Sequence, residues 1–97
     1  MVVESMDKEL CFISVLGQDR KGIIARISSY LYQQNINIED VNQKVMQGYF
    51  VMTMLVDVTE SQASLESLRE ALAALGRDMN LRIQIQHENI FKAMHRV

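Results

Sequence analysis

The run Gly17-Gln18-Asp19-Arg20-Lys21-Gly22-Ile23 holds the residues best suited to chemistry, because it joins an apolar stretch of strand character to one of helical character. A helix starting there presents unpaired backbone N–H groups, a glycine beside them leaves room, and the flanking residues are charged. The chemistry this favours is anion binding. A carboxylate over the first turn gains about 0.3–2 kcal/mol from the helix dipole and about 1.5–3 kcal/mol per charge-assisted hydrogen bond. Two or three such contacts, less the entropy of association, give dissociation constants of roughly 10 μM to 1 mM, which suits a metabolite sensor. Plainer readings stand beside this one: Gly22 as a point of close helix–sheet approach, Asp19 as a helix N-cap, Arg20 as a solvated charge.

The elements around this loop follow from patterning. Leu10 to Leu16 is apolar except for Ser14 and reads as a strand buried on both faces, ended by Gly17. Ile23, Ile24, Ile27 and Leu31 recur at helical spacing, so a first helix runs to about Gln34, with Asp19 as its N-cap. Asn35-Ile36-Asn37 is a polar turn, asparagine being the non-glycine residue that most readily takes φ > 0. Ile38–Gln47 and Tyr49–Val58, separated by Gly48, form a hairpin whose more polar first arm is an edge strand. In the second arm Phe50, Met52, Met54, Val56 and Val58 share the face toward the helices, and Val51 and Leu55 point away, leaving an apolar outer face that suggests association.

Thr59-Glu60-Ser61 offers N-cap chemistry for a second helix on Leu65, Leu68, Leu72 and Leu75, with Gly76 near its stop. Leu81, Ile83 and Ile85 alternate with Arg82, Gln84 and Gln86 as a half-buried edge strand. Glu88 to Val97 places Ile90, Phe91, Met94 and Val97 on one stripe of a short C-terminal helix. The order βαββαβ, with two right-handed crossovers interleaved by a hairpin, predicts an α+β, ferredoxin-like sandwich: a four-stranded antiparallel sheet with two helices on one face, plus the short C-terminal helix.

Composition narrows the function classes. The 97 residues suit a single domain, 1–97, with a core about 9–88 and a C-terminal helical extension 88–97. A net charge of −2 with Lys and Arg scattered among acids argues against nucleic acid or an anionic membrane as partner. Met1–Glu9 lacks an apolar h-region, so no secretory signal is expected, and no apolar run reaches the length of a membrane helix. The lone Cys11 excludes an intramolecular disulfide and a CxxC motif, reads as a small core filler, and points to a cytoplasmic location. Met46, Met52 and Met54 read as core filling. His87 and His95 are too far apart to chelate one ion, so neither metal nor cofactor is expected.

The run Val15 to Ala25, then Asn35-Ile36-Asn37-Ile38, then Val45 through Val58, resembles the ACT domain, a small amino-acid-binding regulatory module. It is similar in particular to the uncharacterised family of stand-alone single-ACT-domain proteins. These combine a strand–DRxG–helix start with an end like Gln86-His87-Glu88-Asn89-Ile90-Phe91-Lys92-Ala93-Met94-His95-Arg96. The resemblance implies a homodimer with sheets paired edge to edge and a small ligand, typically an amino acid, at the subunit interface. Carried over by position, the site is Gly17, Gln18, Asp19, Arg20, Gly22 and Ile23, with Asn35, Asn37 and Ile38 opposite. Lys21 stands where many ACT domains have proline, which leaves the loop less rigid.

Enzymatic alternatives fare poorly. Acylphosphatases share the element order and use an arginine in the first βα loop, but their GxVQGVxxR-type pattern has no counterpart here. Ferredoxin-like metallochaperones need cysteine in that loop, and Arg20 with Lys21 has no general base nearby in sequence. The expectation is a non-catalytic, cytoplasmic regulatory protein sensing an amino acid or small carboxylate. The alternative is a ligand-free interaction module docking on a metabolic enzyme.

Overall fold

The computed structural model describes residues 8–89. Within them the chain runs β1 (Leu10–Gln18), α1 (Ile23–Gln33), β2 (Asn37–Met46), β3 (Tyr49–Asp57), α2 (Leu65–Met79) and β4 (Leu81–His87). All strand pairs are antiparallel, in the order β2-β3-β1-β4, which puts β2 and β4 at the edges. This is the ferredoxin-like sandwich the sequence predicts. The C-terminal helix expected over 88–97 lies outside the described residues beyond Asn89, as does His95.

One stripe of each helix and one face of each inner strand make the core. Ile23, Ile27 and Leu31 of α1 and Leu68, Leu72 and Met79 of α2 cover Cys11, Ile13 and Val15 of β1, Phe50 to Val56 of β3 at alternate positions, and Leu81, Ile83 and Ile85 of β4. β1 is therefore buried on one face only. Its other face carries Leu16, 51% exposed, because no layer of the described chain covers that side of the sheet. Met52 and Met54 fill the core as expected, while Met46 is exposed at the end of β2.

Several boundaries move for physical reasons. The β2–β3 turn is Gln47-Gly48, both at positive φ (55° and 82°), the pairing a two-residue hairpin needs. The N-cap of α2 is Ser64, whose hydroxyl accepts from the Ser67 N–H at 3.0 Å, not the Thr59–Ser61 run. Gly76 does not stop α2. The helix passes through it and ends at Asn80, which takes φ 60°.

Cys11 is buried near the start of β1, and burial pushes its thiol up to about 11, with Glu9 and Glu88 adding to the shift. Thiolate is the reactive form, so a two-unit rise cuts it about 100-fold. An aromatic disulfide reagent at pH 8 should therefore label the native protein at least about 100-fold more slowly than the urea-unfolded chain. Equal rates in the two states would contradict the packing around β1.

Candidate functional site

The β1–α1 junction is built by backbone conformation. β1 extends to Gln18, so Gly17 and Gln18 are strand residues paired with Phe50 and Tyr49. A Cβ on Gly17 would lie 2.6 Å from Leu81 Cδ2 and 3.0 Å from the Asn80 carbonyl oxygen. Gly17 thus lets the start of β4 pack against β1. Asp19 is not the N-cap: its N–H donates to the Gly48 carbonyl at 3.0 Å, tying the loop to the hairpin turn. The N-cap of α1 is Gly22, at φ 86°, with no side-chain cap and no acidic residue in the first turn. Nothing lies within 4 Å of where its Cβ would be, so its role is the left-handed conformation and not close approach.

An open N-terminus results. Beside it is a cleft of about 320 Å³ lined by Gly22, Ile24, Ala25, Gln43, Val45 and Phe50 among others, with Asp19 and Arg20 at its loop end. Arg20 is already engaged, its Nη1 donating to the Met79 carbonyl at 3.3 Å, at the C-terminal end of α2 where a cation is favoured. The Ile23 side chain is buried in the core, so it can offer a ligand only its backbone.

The asparagines sit elsewhere. Asn35, at φ 63°, makes the turn after α1, and its Nδ2 donates to the Glu60 carbonyl at 3.2 Å. Asn37 begins β2 and donates to Glu39 Oε2 at 3.1 Å, and Ile38 packs half-buried against the core. The two asparagines, but not Ile38, line with Tyr32, Ile36, Asp57 and Glu60 a second cleft of about 380 Å³. Burial raises the Asp57 carboxyl, but hydrogen bonds from the Thr59 hydroxyl and N–H, with the charge of Lys8, outweigh this and hold it below its ordinary value.

Within one chain the two groups are therefore apart. They lie at opposite ends of the 11-residue α1, about 16 Å of helix. Sequence reasoning did not find Gln43, Val45, Tyr32, Asp57 or Glu60 as lining residues. A signal existed for two of them: Tyr32, 83% exposed, is an aromatic on the polar face of α1, and Val45, like Val41, is an exposed β-branched residue in a mostly polar edge strand.

Further facts bear on chemistry. Among the described residues no three His, Cys, Asp or Glu side chains group so as to hold a metal ion. Nor is any described helix long and apolar enough to cross a membrane.

Comparison with known proteins agrees with this architecture. A family model described as the ACT domain matches residues 9–86. A UPF0237 protein of Methanopyrus kandleri is 46% identical over 85 residues, covering 88% of this chain and 94% of the relative. A UPF0237 protein of Listeria monocytogenes is 41% identical over 85 residues, covering 88% and 96%. Among solved structures, an ACT domain protein from Streptococcus pneumoniae superimposes with a TM-score of 0.79 at 32% identity, covering 92% of this chain and all (100%) of that one. A formyltetrahydrofolate deformylase from Pseudomonas syringae pv. tomato shares the fold, with a TM-score of 0.77 at 21% identity over 82% of this chain and 28% of its own.

Proposed function

The chain belongs to the ACT-domain family, and from that premise we propose that it is a non-catalytic regulatory protein that binds an amino acid or similar small carboxylate between two copies of itself. The observation that carries this reading is the uncapped start of α1. The second helix satisfies its first turn with Ser64 and carries Glu66 there, whereas the first offers its N–H donors to a cleft with no side-chain cap. A ligand carboxylate is the group that completes it.

The separation of the two residue groups supports a site shared by two chains. β2 is an edge strand whose residues are exposed along nearly all of its length, a form that invites pairing with another strand. Two copies of β2 paired antiparallel about a two-fold axis run in opposite directions. The Asn35–Asn37 turn of one copy then lies at the same end as the Asp19–Gly22 loop of the other, since that loop is tied to the hairpin turn at Gly48. In such a dimer the acid-flanked amides approach the ligand ammonium and the α1 N-terminus its carboxylate. The binding state would reach a partner enzyme through altered surface contacts. A buried, unpaired cysteine suits the reducing cytoplasm in which we place this role.

A thermal-shift screen of the protein against amino acids and other small carboxylates at millimolar concentration tests the proposal. One class is expected to raise the melting temperature saturably, with half-saturation between about 10 μM and 1 mM. No shift with any compound would overturn sensing and leave the ligand-free docking role.

A further inference from the structure

We infer that the ligand of the cleft beside α1 is an amino acid with an uncharged aliphatic or thioether side chain, of about the size of leucine or methionine. The inference rests on the amino-acid reading above and narrows it to one class.

The cleft has two chemically distinct ends. Its loop end holds the uncapped start of α1 together with its charged lining residues, Asp19 and Arg20. Beyond the loop the wall is Ile24 and Ala25 of α1 with Val45 of β2 and Phe50 of β3, and Gln43 is its uncharged polar member. The strand register produces this wall. Val41, Gln43 and Val45 pair with Met54, Met52 and Phe50, which are buried under the helices, so these three β2 residues share the helix side. Ile24 and Val45 are 41% and 55% exposed, so two large apolar side chains meet water in a cleft that no described element closes. An apolar ligand group displaces that water, a gain that scales with the area covered.

Nearby charges are directed away from the apolar wall. Lys44 pairs with Val51 and lies on the other face of the sheet. Arg26 is held by Asp78 of α2 at 2.8 Å, and Arg20 donates to the Met79 carbonyl at 3.3 Å. A charged side chain laid on Ile24 and Val45 would lose its hydration and gain no counter-ion there. An amino acid held by its carboxylate at the α1 amides directs its side chain along this wall, and a serine or alanine side chain is too short to cover it. The volume of about 320 Å³ is at the small end for ligand sites, which run to about 1,000 Å³, and suits an aliphatic chain better than a fused aromatic ring. Ile24 and Val45 are thus the residues that set specificity.

Isothermal titration calorimetry of the full chain with leucine, methionine, alanine, serine, glutamate, lysine and tryptophan tests this. Leucine or methionine should bind at least about tenfold more tightly than alanine or serine, since a methylene missing from an apolar pocket costs about tenfold or more. Ile24→Ala and Val45→Thr should each weaken leucine about tenfold, while alanine, titrated at millimolar concentration, changes by less than about twofold. Circular dichroism and sedimentation confirm that each variant keeps the fold and assembly of the parent. An equal loss for leucine and alanine would overturn the role given to these two side chains, because a fault of folding or assembly moves both ligands alike. Preferential binding of serine, glutamate, lysine or tryptophan overturns the inference and leaves the amino-acid reading standing. Binding of none of these ligands overturns that reading, and the inference with it.

Discussion

Gly76→Ala is expected to destabilise the protein by about 2 kcal/mol, lowering the melting temperature by roughly 8–16 °C, although alanine is the better helix former by about 1 kcal/mol. Gly76 is buried inside α2, and a Cβ there would sit 2.6 Å from the Leu81 carbonyl oxygen and 3.3 Å from Ile83 Cγ1. The nearest of these is backbone at the start of β4, so no rotamer change relieves the clash. α2 must lift from the sheet, and overpacking of this kind costs about 1–3 kcal/mol or more. The exposed Ala74 of the same helix supplies the contrast: Ala74→Gly should cost about 1 kcal/mol by propensity alone. Opposite exchanges in one helix thus both destabilise, which urea and thermal melts would register. A rise in melting temperature for Gly76→Ala would mean that α2 and β4 pack less closely than the structure shows.

This pair of residues also marks what the sequence makes legible. Apolar periodicity placed every strand and both helices, because alternate residues in β3 and β4 and every third or fourth in α1 and α2 face one core. Glycine was the ambiguous letter. Gly76 looks like a helix stop, Gly17 like a loop residue and Gly22 like an opening for ligand, yet two are close-packing positions and the third is a left-handed N-cap. One-letter spacing cannot separate these roles, since each depends on what lies across space. Polar residues near helix starts were equally unresolved: Asp19 and Thr59–Ser61 have cap chemistry, but Gly22 and Ser64 hold the cap positions. The outer face of β1 departs from the expectation because a sheet face that no described helix covers can be as apolar as a covered one. Of the candidate site, the loop was legible as a loop and Asn35 as a turn, whereas their 16 Å separation, about the length of α1, follows only from chain direction.

That separation yields the largest functional effect expected. Val41→Glu with Val45→Glu should convert a dimer to monomer and abolish stabilisation by the amino acid together, with ligand affinity falling at least about tenfold, a loss of about 1.4 kcal/mol. Both valines face the helical side of β2, 43% and 55% exposed, Val45 lining the cleft with Ile24 of α1, and no described element covers them. As exposed surface positions they contribute little to the fold of one copy, within about 0.5 kcal/mol each. Across a two-fold edge centred at Gln43, Val41 of one copy would lie opposite Val45 of the other, and carboxylates there repel. The Val41→Lys, Val45→Lys chain should fail in the same way alone, and an equimolar mixture of the acidic and basic chains should recover both dimer and ligand response. Recovery by mixing distinguishes an interface from a local fault in folding, because neither chain changes its own sequence. If the acidic chain stays dimeric, β2 is not the edge that pairs. If it becomes monomeric yet keeps its full ligand response, the cleft at the start of α1 binds within a single chain and Asn35 and Asn37 serve only their turn.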